Sequence, residues 1–326
     1  MPAPAPEGFL LGVNYPWVHY GQDFGRSLSG AHGVSTSETR KTVAEDFERM
    51  RAAGITLARW FLLCDGRSGL SVNKGIPTGP DELLFADVAA ALELARQFEL
   101  RLCFSLLDFL WMQNRGDASS SLPNQNVLKF AAGREALLEH VLIPLFEEFR
   151  GHPALFSWEV ANEPEWAIRE FVRFPEAVMH FADFNAFARE IADAMHEYSH
   201  AQVTLGSARL LWFRAWSDLG LDFYQAHYYP QNERDQDADL TTQLRALKPQ
   251  ESLDRALWLG ELPARDPGTP GYTMEEALDT CKAAGLSGAG IWRWRSPDPG
   301  SADEKYGTVD PDILRTWLTR SGASSV

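Results

Sequence analysis

Two glutamates in this chain stand where an apolar strand runs out, and two facing carboxylates are the minimum equipment for cleaving a glycosidic bond. The first closes the stretch Phe156-Ser157-Trp158-Glu159-Val160-Ala161-Asn162-Glu163-Pro164-Glu165-Trp166. Its apolar run reads as a short buried β-strand. Pro164 stops the strand and turns the chain, which leaves Glu163 at the C-terminal lip. The second, Glu261, follows the apolar run Ala256 to Gly260 and precedes Leu262-Pro263. An acid at the C-terminal end of a barrel strand reads as catalytic rather than structural. Of two such acids, one protonates the leaving oxygen and the other attacks the anomeric carbon or activates water. Position alone leaves blander alternatives open: an exposed loop carboxylate for Glu163, a helix-capping or salt-bridged acid for Glu261.

Such a pair needs a scaffold that brings distant residues to one rim, and the rest of the chain supplies one. Strands are expected at Phe9 to Tyr15, Ile55 to Leu63 with Arg59 inside it, Leu100 to Leu107 ending at Asp108, and Phe156 to Glu163. They continue at Gln202 to Gly206, Leu221 to His227, Ala256 to Gly260 and Gly288 to Trp294. Helical spacing falls between them, at Ser37 to Ala53, Glu82 to Phe98, Arg134 to Phe149, Phe181 to Tyr198, Thr273 to Ala284 and Pro311 to Thr319, with a weaker segment at Trp212 to Leu219. A Gly- and Pro-rich loop precedes the second helix. Long polar loops follow the third strand, through Trp111, Asn114 and Ser119 to Ser121, and the sixth, at Glu233 to Asp239. Eight apolar strands alternating with helices imply parallel pairing and a closed (β/α)8 TIM barrel, here a single domain over residues 1–326. The rival, an open doubly wound sheet, lacks a Gly-x-Gly-x-x-Gly turn after the first strand and a Walker loop. No nucleotide cofactor is expected.

Composition narrows the partners. Of 326 residues, 45% are hydrophobic, enough for a large core, and the formal charge is −15. That balance argues against nucleic acid or an anionic membrane surface and fits a neutral substrate. Eleven tryptophans leave rings to spare for a cleft. Cys64, Cys103 and Cys281 have no metal-type spacing, and Cys103 in its apolar run reads as a reduced core residue. Eight histidines without a His-x-His pair argue against a metal-dependent barrel hydrolase, so no metal is expected. The Pro- and Ala-rich start, Met1 to Glu7, has neither a basic nor an apolar leader region. The expected location is cytoplasmic if the chain is whole, and secreted if a leader has been removed. Oligomeric state leaves no trace in the sequence.

The motif Trp158-Glu159-Val160-Ala161-Asn162-Glu163-Pro164 resembles the strand-four motif of clan A glycoside hydrolases, above all family 5 β-mannanases and their cellulase relatives. The other strand ends fall in the order the resemblance requires. Arg59 is similar to the family's arginine beside the nucleophile, and His227-Tyr228-Tyr229 to its His-x-Tyr. Glu261 in Trp258-Leu259-Gly260-Glu261 sits where the nucleophile is kept, and Trp292 where the strand-eight tryptophan is kept. The resemblance implies a retaining β-glycoside hydrolase acting on gluco- or manno-configured chains. Glu163 would be general acid and then base, with a pKa raised by Glu261 and the apolar strand. Asn162 would meet the sugar 2-hydroxyl, Arg59 would keep Glu261 ionised, and Tyr229 would hold its rotamer. Read by themselves, Arg59 has the alternative of a structural ion pair, and His227 reads equally as a satisfied core histidine. Trp292 offers a face to a pyranose ring, with Trp294 at the same parity, and either ring is equally barrel core. Trp111 and Trp166 are candidates for outer subsites.

Two departures put the sugar in question. Asp108-Phe109-Leu110-Trp111 lacks the histidine often found after strand three in family 5, leaving Asp108 as the polar residue there. Leu262-Pro263 follows the nucleophile where mannanases tend to have acidic or aromatic residues. Two further readings share these residues: a transglycosylase using the same glutamates, and a non-catalytic carbohydrate-binding barrel, which would not need two facing acids.

Overall fold

The computed structural model describes residues 8–27, 29–113, 127–230, 239–247, 253–296 and 302–322. Asn114, Ser119 to Ser121, most of the Glu233 to Asp239 loop and Met1 to Glu7 lie outside them. Eight strands carry the architecture: β1 Leu10–Asn14, β2 Leu57–Phe61, β3 Arg101–Asp108, β4 Leu155–Asn162, β5 Gln202–Ser207, β6 Tyr224–His227, β7 Leu257–Pro263 and β8 Gly288–Trp292. Every neighbouring pair is parallel, and β1 pairs with both β2 and β8, so the sheet closes into a barrel. The expected fold is the one found.

The helices between strands present one apolar face to the barrel. In Ser37–Ala52, Thr39, Val43, Asp46, Phe47 and Met50 are buried at helical spacing, and Gly54 at φ +86° allows the turn that follows. The helix expected at Arg134 to Phe149 is instead three joined segments: Ala131–Leu137, a π-helical turn Leu138–Leu142, and Ile143–Glu148. Pro144 gives the physical reason. It has no N–H to donate and its ring would strike a carbonyl one turn back, a conflict that a widened turn relieves. Trp212 to Leu219 also differs, forming a 3-10 helix at Phe213–Leu219. The Gly- and Pro-rich loop contains an unexpected antiparallel hairpin, Leu70–Asn73 with Ile76–Pro80. Lys74 (φ 51°) and Gly75 (φ 80°) form its two-residue turn, which was missed because Lys is a rare choice at a left-handed position.

Inside the barrel the side chains are tiered. The floor is apolar: Leu10, Leu57, Cys103 and Trp258 meet from four strands. Glycine makes room for it, since a Cβ at Gly290 would stand 3.0 Å from the Trp258 ring. The middle tier is charged and fully buried, with Arg59, Glu159 and Gln225. The rim tier is aromatic and acidic. Two register shifts deliver it, between Glu159 and Asn162 on β4 and between Leu259 and Leu262 on β7. Strict alternation would send residues three apart to opposite faces; the irregularity keeps Glu159 and Asn162 on one face, both meeting Arg59, and Leu259 and Leu262 on one face, both in the main apolar core. The first shift lies just ahead of Glu163, and the second spans Glu261.

Candidate active site

Glu163 sits one residue past β4 in the left-handed conformation, φ 49° and ψ 45°. A non-glycine residue there is strained by about 1–2 kcal/mol, and the following proline also disfavours the right-handed alternative. Local contacts hold it. Its N–H donates to the Gly206 carbonyl at 2.7 Å, and Pro164–Ala167 forms a 3-10 turn directly after it. Glu165 anchors that turn: its buried carboxylate accepts from Ser207 Oγ (2.5 Å), Ala208 N (3.0 Å) and Trp216 Nε1 (2.7 Å). The Glu163 carboxylate meets His227 Nδ1 at 2.8 Å through Oε1 and Trp166 Nε1 at 2.9 Å through Oε2.

Glu261 is 4% exposed. Arg59 Nη1 donates to its Oε1 at 2.7 Å and Tyr229 OH to its Oε2 at 2.6 Å. Burial raises its pKa, and the neighbouring Glu163 adds to the rise against the pull of His227 and Arg59. Burial, then the charge of Glu261, raises the Tyr229 phenol, so it stays a donor. Burial pushes the His227 imidazole down to about 4, leaving it neutral at pH 7. Asp108 is driven up to about 8, chiefly by burial, and is therefore a neutral carboxylic acid at pH 7.

Behind the acids lies a hub that sequence reading passed over. Arg59, fully buried, donates to Glu159 through Nε and Nη2 (both 2.6 Å), to Asn14 Oδ1 at 2.8 Å and to Asn162 Oδ1 at 2.7 Å, besides Glu261. Glu159 also accepts from Ser105 Oγ at 2.8 Å and Gln225 Nε2 at 2.7 Å. Burial alone would raise its pKa, but Arg59 beside it turns the shift downward. The signal was available: an arginine in one apolar strand and a glutamate in another each require a buried partner. Asn162 completes the rim, its Nδ2 donating to Asp108 Oδ2 at 2.8 Å.

Asp108, Asn162, Glu163, Tyr229, Glu261 and Trp292 line one cavity of about 260 Å³ at the C-terminal ends of the strands. Trp17, Tyr20, Phe61 and Tyr306 complete its aromatic walls. Arg59 and His227 do not line the cavity; they stand behind the acids and touch them, Arg59 beside Glu261 as the resemblance implies. Trp111 is not brought to the cavity at all: it is 1% exposed and packs beneath Gly66, where a Cβ would come within 2.4 Å of its ring. It borders a separate cavity of about 330 Å³ with Met112, Leu128 and Met179. Among the described residues its lining carries a single acid, Asp183, so the candidate chemistry belongs to the cavity between the two glutamates. Trp166 is also absent from the cavity lining, its indole turned to Glu163 instead. All three cysteines are buried and unpaired.

One oxygen or nitrogen each of Glu163, His227 and Glu261 lies within 4.8 Å of the others, a spacing that a cation could bridge. The donor set does not suit one. Both Glu261 oxygens already accept from Arg59 and Tyr229, and a cation there would face the guanidinium. Among the described residues no helix is long and apolar enough to cross a membrane.

No family model matches the chain. Over 163 residues, 49% of this chain and 41% of the relative, it is 28% identical to a mannan endo-1,4-β-mannosidase of Mytilus edulis. Over 164 residues, 49% of this chain and 39% of the relative, it is 25% identical to one of Cryptopygus antarcticus. The match thus spans less than half the length of either curated relative. Among solved structures, a β-1,4-mannanase of the sea hare Aplysia kurodai superposes at a TM-score of 0.76, covering 98% of this chain and 95% of that one at 19% identity. That likeness is one of fold. The two curated relatives are β-mannanases, in keeping with the clan A, family 5-like resemblance carried by the strand-four and strand-seven motifs, and the solved structure shows the fold.

Proposed function

We propose that the protein is a retaining β-glycoside hydrolase of β-1,4-linked mannan, its catalytic unit a single barrel domain. The observation that carries this reading is the pair of strand-end glutamates with ligand atoms no more than 4.8 Å apart across one cavity. Facing oxygens that close suit the carboxyl separation of about 5–5.5 Å in retaining enzymes better than the roughly 6.5–9.5 Å that inverting ones need to admit a water. Glu261 is the nucleophile. Tyr229 and Arg59 fix its rotamer, and its carboxylate attacks the anomeric carbon as Glu163 passes a proton to the departing oxygen. Water then enters, Glu163 takes its proton, and the ester to Glu261 breaks with the β configuration kept. Asn162 has its carbonyl committed to Arg59 and one N–H to Asp108, which leaves its second N–H for the sugar 2-hydroxyl. The mannan assignment rests on the relatives' names, and the walls of Trp17, Trp292 and Tyr306 suit the flat C–H face of a pyranose.

Following the anomeric proton by NMR during hydrolysis of a β-mannoside tests the mechanism: the β product should appear first. Glu261→Ala should abolish turnover, with azide restoring part of it as the α-glycosyl azide. Glu163→Ala should spare the first step for good leaving groups and yield the β-azide. An α product formed first from the native enzyme would mean inversion and remove Glu261 as nucleophile.

A further inference from the structure

The two oxygens of Glu163 are held by partners of different kinds. His227 Nδ1, 2.8 Å from Oε1, can donate or accept according to tautomer. Trp166 Nε1, 2.9 Å from Oε2, can only donate. A proton on Oε2 would therefore compete with the indole hydrogen, while Oε1 can carry one without conflict. The indole is fixed in place. Its backbone N–H closes the turn onto the Glu163 carbonyl at 3.1 Å, and its carbonyl accepts from Gln113 Nε2 at 3.0 Å. Its ring stacks on Phe174 and takes an edge contact from Trp212. Among the described residues, Tyr229, Glu261 on β7 and Asp108 at the end of β3 are further titratable groups whose charges act on Glu163.

We propose that Trp166 is the positioning residue of the acid/base: its indole N–H favours the ionised carboxylate and assigns the catalytic proton to Oε1. This rests on the glycosidase reading, in which Glu163 must release a proton and then take one back. Removing one N–H donor from a carboxylate raises its pKa by about one unit. Trp166→Phe keeps the ring and deletes the donor. The carboxyl of Glu163, followed by carbon-13 NMR in uniformly labelled Glu, should titrate about one unit higher in the variant. The basic limb of the kcat/KM profile should move up by the same amount. Turnover of mannosides with poor leaving groups should fall about tenfold, while dinitrophenyl mannoside keeps its first-step rate. An unchanged titration midpoint, or an equal loss for every leaving group, overturns the proposal. Should the variant not fold, the Trp166 indole N–H resonance of the native protein must titrate with the Glu163 midpoint, and an indole blind to that titration overturns it equally. If the native protein cleaves no β-glycoside but indole and carboxyl titrate together, the positioning stands and the glycosidase reading falls.

Discussion

Asp108→Asn separates a buried carboxylic acid from everything around it. Asp108 accepts from Leu110 N through Oδ1 and from Asn162 Nδ2 through Oδ2, both at 2.8 Å, and burial lifts its pKa from 3.8 to about 8. The unfolded chain releases this proton near the ordinary value and the folded chain keeps it to about 8. The group's contribution to stability is therefore complete at low pH and is lost as pH rises through that window. The slope is about 1.4 kcal/mol per pH unit, a cost of roughly 4 kcal/mol by pH 7. Asparagine does not titrate, but its amide must set a donor against either Leu110 N–H or Asn162 Nδ2, for about 1–3 kcal/mol. The variant should accordingly be less stable than the native protein at about pH 4 and more stable at about pH 8, with the curves crossing between about pH 4.5 and 6. Urea unfolding followed by tryptophan fluorescence at half-unit steps would measure the difference. Other buried acids, such as Asp23, cancel from it because both proteins keep them. Curves that run parallel across the window would mean that Asp108 is ionised in the native state, and the reasoning from burial would be wrong.

Glu159→Gln should leave Arg59 to Glu261 alone, moving the acid limb of the kcat/KM profile down and lowering kcat. Tyr229→Phe removes a donor from the Glu261 carboxylate and should move the same limb up by about one unit. Arg59→Lys cannot reproduce contacts to four residues with one ammonium, and thermal unfolding should show a loss of about 3–5 kcal/mol together with activity at background. Exhaustive chelation should leave full activity, and a loss restored by zinc or calcium would count against the mechanism.

How much of this could be read in advance depended on how local the physics was. The strand ends were legible because apolar runs, turn residues and a terminal acid lie next to one another in the chain. The order Arg59, Asp108, Glu163, His227, Glu261, Trp292 around the barrel then follows from its closure. What failed was side-chain direction. Trp111 and Trp166 follow strand ends as a sugar platform would, yet one is beneath Gly66 and the other faces Glu163, placements set by contacts far away in sequence or by a single tight turn. Glu159 was visible only as one letter of a motif, because the two-residue period does not survive the register shift between it and Asn162. The π turn at Leu138–Leu142 arises from one proline inside an otherwise helical pattern.

In the proposed mechanism, the hub explains why a buried arginine beside Glu261 does not silence it as a nucleophile. A guanidinium devoted to one carboxylate would form a tight, weakly basic pair. Here the fork of Nε and Nη2 goes to Glu159, and a single Nη1 contact reaches Glu261. The two acids diverge accordingly: the carboxyl of Glu159 is lowered below its ordinary range, whereas that of Glu261 is raised. The positive charge is largely compensated before it meets the rim, so Arg59 orients Glu261 without draining its basicity. On that reading Glu159 serves the reaction from the tier below, and its burial is tolerable only because Arg59, Ser105 and Gln225 satisfy both of its oxygens. A barrel interior that could have been packed with aliphatic residues carries instead a charged tier that sets how strongly the rim acids hold their protons.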